Sequence, residues 1–125
     1  MAGLPEIVIE AWKNKKGAPV FTTVSKDGTG NSVYVTCVSL YNKETIVIAD
    51  NYFDKTRKNI LNGSRGNFLF ITEGDKSYQI KGEIEYQKEG EFFNDMKKWN
   101  PDRHPGHAAV VLKIEEVYSG ADQLL

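Results

Sequence analysis

The residues with the clearest chemical potential are Lys55-Thr56-Arg57-Lys58, which follow an apolar, β-branched run, Ile46-Val47-Ile48-Ala49, by way of Asp50-Asn51-Tyr52-Phe53-Asp54. A lysine, a hydroxyl and the N–H groups of a helix's first turn, gathered at a strand-to-helix corner, form a set of donors suited to phosphate. Those N–H groups lack partners within the helix, and the macrodipole favours an anion beside them. Alone, the same run also fits a solvated basic face. A first-turn lysine works against the macrodipole, however, and gains from a neighbouring anion. Arg57 and Lys58 read as surface residues, with Arg57 as an alternative second phosphate partner.

Other reactive types carry less. Cys37 sits in mid-strand between Thr36 and Val38 with no activating neighbour in sequence, so it reads as a small buried hydrophobe rather than a nucleophile. His104 and His107 flank Pro105-Gly106, which prevents a shared helical face. With only Asp102 nearby, zinc ligation is not expected, and a loop contact near a cofactor or subunit seam is. Asp27-Gly28-Thr29-Gly30 is glycine-rich but no helix follows it, so it reads as a hairpin turn and not a phosphate loop. No nucleophile with its base and no acid–base pair is apparent, so no catalytic residue is assigned. Any redox chemistry must come from a cofactor.

Composition bounds the rest. A chain of 125 residues with 40% hydrophobic content is expected to form one domain over 1–125. Sixteen basic against seventeen acidic residues give no general pull toward nucleic acid. One cysteine excludes an internal disulfide and fits a reducing compartment. Glu6 and Glu10 interrupt Met1 to Trp12 too early for a signal peptide, and no apolar run reaches membrane-spanning length. The sequon Asn62-Gly63-Ser64 stands without other marks of secretion. The expectation is a soluble, cytoplasmic protein without membrane or nucleic-acid partners.

The elements that must position the corner follow from periodicity. Leu4, Ile7, Val8, Ala11 and Trp12 predict an amphipathic helix over 5–15, ended by Lys15-Lys16-Gly17. Strands are predicted over 20–25, 32–41, 45–49, 67–72, 77–87 and 107–118, with the second apolar on both faces and well covered. In 77–87, Tyr78, Ile80, Gly82, Ile84 and Tyr86 alternate with polar residues, the pattern of half-buried antiparallel β-structure. Helices are predicted over 54–61 and along Phe92, Phe93, Met96 and Trp99; Trp99 and Tyr78 read as core, with stacking on a planar cofactor from the partner subunit as the alternative. Six strands joined mostly by hairpin-length turns favour a nearly closed antiparallel barrel over a doubly wound sheet.

The order of these elements resembles the FMN-binding split-barrel family related to pyridoxamine 5′-phosphate oxidase, above all its small FMN-binding members. The resemblance covers nearly the whole chain: an N-terminal helix, a hairpin, the strand Ile46-Val47-Ile48 leading into Lys55-Thr56-x-x-Asn59-Ile60, the glycine-containing strand Ile80-Lys81-Gly82, and the apolar Ala108-Ala109-Val110-Val111-Leu112 before Gln123-Leu124-Leu125. It implies a mainly β fold, a six-stranded antiparallel split β-barrel with short flanking helices, and a homodimer with FMN at the subunit interface. Carried over by position, Val35, Thr36 and Cys37 would face the flavin ring, Ala49, Asp50 and Asn51 would supply a strand end, and Lys55 and Thr56 would hold the phosphate. No metal is implied. Pyridoxamine phosphate oxidases themselves carry extra arginines on the flavin-facing strand and an Arg-x-His segment near the C-terminus. Tyr34-Val35-Thr36-Cys37 and Gly120–Leu125 have neither, so oxidation of that substrate is not expected. The implied activity is that of an oxidoreductase or electron carrier with a small-molecule donor or acceptor. The alternative is a non-catalytic module that stores or senses flavin.

Overall fold

The computed structural model describes residues 3–125. The first two residues of the domain expected over 1–125, and of the segment Met1 to Trp12, lie outside the described residues. The chain runs α1 (Glu6–Lys13), β1 (Val20–Val24), β2 (Gly30–Tyr34), β3 (Val38–Asn42), β4 (Thr45–Asp50), α2 (Lys55–Leu61), β5 (Gly66–Ile71), β6 (Ser77–Gln87), α3 (Glu91–Trp99), β7 (Ala108–Ser119) and β8 (Asp122–Gln123).

All strands belong to one antiparallel sheet with the path β2-β1-β5-β6-β7-β4-β3, and β8 pairs back onto β7. The strands at the two ends of this path are joined by Val35-Thr36-Cys37 alone, so the path returns on itself as a split barrel. The single strand expected over 32–41 is therefore two. Its first half pairs with β1 and its second with β4, and the chain leaves both ladders while it changes partner. The strand count is eight rather than six: the division of 32–41 adds one, and the two-residue β8, too short to show a period, adds the other. The expected cover also shifts: β2 alternates between exposed and half-buried, whereas all six residues of β4 are buried.

The burial of β4 explains its unbroken apolar run. Ile46 and Ile48 face the barrel interior with Phe21, Phe68, Ile80, Val110 and Leu112. Val47 and Ala49 face outward, where α3 covers them with Met96, Phe92, Phe93 and Trp99. The period-2 exposure expected of a one-sided strand disappears when both faces are covered. Trp12 of α1 stacks on Phe68 with ring centroids 5.3 Å apart, which fixes the N-terminal helix against the barrel. Among the described residues, no helix is long and apolar enough to cross a membrane.

Candidate functional site

The split creates the site. Val35 N–H donates to Pro19 O at 2.9 Å, and Ala49 N–H donates to Cys37 O at 3.0 Å. Between these two bonds, the N–H groups of Thr36 and Cys37 have no partner among the described residues. They border a cleft of about 270 Å³ whose lining includes Tyr34, Val35, Thr36, Cys37, Ala49 and Asn51. Tyr52, Phe53 and His104 complete its rim. Tyr34 and Tyr52 are 78% and 70% exposed, so two large aromatic side chains flank the opening. Tyr52 Oη lies 3.0 Å from His104 Nδ1, with the rings edge-on. Asn51 is fixed from behind: its side chain exchanges hydrogen bonds with Asn100 at 3.1 and 2.9 Å and accepts one from Gly106 N–H at 2.9 Å.

Asp50 does not face this cleft. Its carboxylate is fully buried and accepts from Arg57 Nε (2.7 Å), Arg57 Nη2 (3.0 Å), Tyr86 Oη (2.5 Å) and Phe53 N–H (3.1 Å). Burial alone would raise its pKa, but the bonds from Arg57, Tyr86 and the Phe53 amide outweigh that and hold it below the usual carboxylate range. The same cluster raises Arg57, mainly through its hydrogen bond to Asp50. Burial, then the bond to Asp50, pushes Tyr86 up to about 12. Arg57, read from sequence as a surface cation or phosphate partner, is instead the internal counter-ion of Asp50. Asp50 thus contributes to the site by holding α2 against the end of β4, and not by presenting its side chain.

The phosphate corner is likewise redistributed. Thr56 is buried, and its Oγ1 accepts from Asn31 Nδ2 at 2.9 Å, while Asn59 Nδ2 donates to Thr23 Oγ1 at 3.0 Å. These two residues seat α2 on the β1–β2 hairpin, so the Thr56 hydroxyl faces protein. Lys55 is exposed and has no carboxylate within ion-pair reach among the described residues. Lys58, read from sequence as a surface residue, lines the same cleft of about 470 Å³ as Lys55, with Asp27, Thr29, Gly30 and Asn31 opposite. Its only ion pair among the described residues is a long, exposed one to Asp54 at 3.8 Å. Asp54 makes no side-chain capping bond, and the N–H groups of Lys55, Thr56 and Arg57 have no backbone partner among the described residues.

The structure therefore brings Val35, Thr36, Cys37, Ala49 and Asn51 together at one cleft and sets Lys55 at another. Asp50 and Thr56 lie between and beneath them. The two clefts are connected by β2, which places Asn31 at one and Tyr34 at the other, three residues of strand or roughly 10 Å apart. Tyr34, Tyr52 and Asn31 form no spaced motif, so nothing in the sequence singles them out, whereas Lys58 belongs to the basic run Lys55-Thr56-Arg57-Lys58 and only its place in this cleft is new. His104 reads in the sequence as a loop residue, and its place beside Tyr52 is a tertiary fact. Among the described residues no group of three or more metal-ligating side chains occurs.

This architecture, an antiparallel barrel split where one strand changes partner and opened there into an apolar cleft, defines the split-barrel class. The family model for pyridoxamine 5′-phosphate oxidase matches residues 6–120, and the chain belongs to that family. Among solved structures it is similar to a histidine-to-alanine variant of HupZ from Group A Streptococcus, with a TM-score of 0.81 at 21% identity over 93% of this chain and 98% of that one. An FMN-binding protein from Syntrophomonas wolfei subsp. wolfei gives a TM-score of 0.72 at 23% identity, over 84% of this chain and 78% of that one. General stress protein 26 from Bacillus anthracis gives 0.67 at 15% identity, over 94% of both chains. At these identities the likenesses establish the fold. No curated protein matches the chain.

Proposed function

We propose that this chain is a flavoprotein that binds FMN noncovalently at a homodimer interface, with the ring along Val35-Thr36-Cys37 and the phosphate at Lys55. The observation that carries this reading is the pair of free N–H groups at Thr36 and Cys37, opening into a cleft walled by Tyr34, Val35, Ala49 and Phe53. A flavin's pyrimidine edge alternates donors and acceptors, and an unpaired stretch of strand can meet it with backbone groups. Lys55, with Lys58 beside it in place of Thr56, offers ammonium charges at the far end of β2 for the terminal phosphate. The ring-side cleft of about 270 Å³ falls just below the usual range for a small-molecule site, roughly 300–1,000 Å³. A second subunit seated over Tyr34 and Tyr52 would supply the missing wall.

The bound flavin would supply hydride or single-electron transfer. The residues of this chain bind and orient it and limit its access to water. Described in this way, the protein is an oxidoreductase or electron carrier that uses a small-molecule donor or acceptor in the cytoplasm, without nucleic-acid or membrane partners. The absence of arginine from Tyr34-Val35-Thr36-Cys37 argues against pyridoxamine phosphate as substrate. The lack of an evident acid–base pair keeps a storage or sensing role as the second reading.

Reconstitution decides among these. Purified protein mixed with FMN is expected to retain visible flavin absorbance after gel filtration at the elution volume of a dimer. Failure to retain FMN overturns the proposal. Anaerobic bleaching by NADH or NADPH would favour the reductase over storage. Lys55→Ala is expected to weaken FMN about tenfold, the worth of one charge-assisted hydrogen bond, and to leave riboflavin unchanged because riboflavin lacks the phosphate. Equal weakening of both would remove Lys55 from the phosphate site.

A further inference from the structure

Thr36 also borders a second cleft, about 280 Å³ in volume and lined by Trp12, Lys15, Gly17, Pro19 and Val38 as well. We propose that the Lys15 ammonium, fixed at the edge of the split by the Trp12 ring and the Trp12 carbonyl, anchors the anionic group of the small molecule that exchanges electrons at the flavin site, a carboxylate or a phosphate. The role as redox partner rests on the flavin reading above; the anion anchor itself does not.

Three observations carry it. The first is preorganisation. Lys15 Nζ lies 3.9 Å from the Trp12 ring centroid and donates to Trp12 O at 3.0 Å. The other side of the indole packs on Phe68, with ring centroids 5.3 Å apart and planes inclined by 22°. The ring is therefore the back wall of the cleft and is itself occupied on both sides. A lysine normally gives up several rotors to hold one geometry; here that ordering is built into the fold, so an anion does not have to impose it.

The second is charge. Lys15 has no carboxylate within ion-pair reach among the described residues, whereas its neighbours are matched: Lys13 with Glu10 at 3.5 Å and Lys16 with Asp75 at 3.0 Å. Lys15 is half-buried, and burial lowers its pKa. A partly desolvated cation that spends one of its three donors on a carbonyl retains two for an incoming oxyanion and recovers interaction energy by accepting one. The third is position. Thr36 lines this cleft and the ring-side cleft alike, so a molecule held by its anionic end at Lys15 has its remainder directed to the split. The Lys55 corner belongs to a different cleft and cannot serve both ends.

The test uses the whole protein without added flavin and follows the two indole N–H resonances, those of Trp12 and Trp99. Inorganic phosphate and succinate are titrated separately. The Trp12 signal is expected to shift saturably with at least one probe while Trp99, at the end of α3, stays put; the probe that saturates identifies phosphate or carboxylate as the anion. Lys15→Met, which retains the stem, is expected to weaken that saturation at least tenfold, and Lys15→Arg to preserve it. No movement of Trp12 with either probe, or an undiminished shift in Lys15→Met, overturns the proposal. FMN retention measured on the same sample separates the two readings: loss of FMN binding with an intact Trp12 shift overturns only the flavin site, and the reverse overturns only the Lys15 anchor.

Discussion

Gly82→Ala is expected to lower stability by about 3 kcal/mol or more, seen as a fall in thermal midpoint of roughly 10 °C or more for a domain of this size. A Cβ built on Gly82 lies 1.8 Å from Lys113 O and 2.8 Å from Lys113 C. Both atoms are backbone of β7, so no rotamer change relieves the clash. The cause is a bulge: Lys81 pairs with Glu116 and Gly82 with Ile114, leaving Glu115 unmatched. The extra residue bends β7 and brings its main chain onto β6. On the other side, Gly82 pairs with Gly66, so two glycines lie side by side where the barrel turns its corner. Gly66→Ala should cost less, because its Cβ would meet the side-chain tips of Ile84 and Phe21 at 2.9 Å, which can shift. Chemical denaturation of the two variants checks the order. A Gly82→Ala protein as stable as the parent would mean that the close approach is relieved at no cost.

Gly82 also marks how far the sequence could be read. The alternation from Tyr78 to Tyr86 is clear because β6 has one covered face, and its bounds emerge in the structure as 77–87. Pairing register is another matter. An unmatched residue on β7 leaves no trace in the alternation of β6, so the sequence marks the glycine without the reason for it. The same limit applies to residues 30–42. Hydrophobic pattern reports how much of each residue is covered, not which strand it bonds, and a run that changes partner half-way reads as one strand.

The site was legible in proportion to how local its parts are. Lys55 stands exposed at a strand-to-helix corner, a property of a short segment, whereas Val35-Thr36-Cys37 reads in the pattern of 32–41 as part of one covered strand and is marked through the family resemblance alone. Thr56 and Arg57 are neighbours of Lys55 in sequence but point to different places: one contacts Asn31 across 25 positions, the other Asp50 across 7. Tyr86 reaches the same carboxylate from 36 positions away. No spacing rule links residues 50, 57 and 86. The one hint is an acidic residue closing an otherwise apolar strand, which is unusual enough to ask what neutralises it.

That neutralisation predicts the second large effect. Asp50→Ala is expected to cost about 3 kcal/mol, at the lower end for a buried pair because Arg57, 34% exposed, can turn its guanidinium into water. The pH dependence follows from the direction of each shift. Asp50 is held below its unfolded value, so its contribution is present above about pH 4 and is lost as pH falls through the lower folded value. Tyr86 is raised to about 12, so its contribution is complete below about pH 10 and is lost as pH rises toward 12. Arg57 remains charged throughout. Stability of the parent protein should therefore decline at both extremes. Asp50→Ala should flatten the acid limb and weaken the alkaline one, while Tyr86→Phe should remove the tyrosine component of the alkaline limb and shrink the acid limb, because the Tyr86 hydroxyl is one of the donors that hold Asp50 down. Since Arg57 carries α2, the proposed flavin site makes a further prediction for the Asp50 variant, a greater loss of affinity for FMN than for riboflavin: the helix that presents Lys55 and Lys58 is released, whereas Thr36 and Cys37 stay anchored through Pro19 and Ala49. Equal losses for both ligands would mean that the cluster supports the barrel as a whole and does not position the phosphate end.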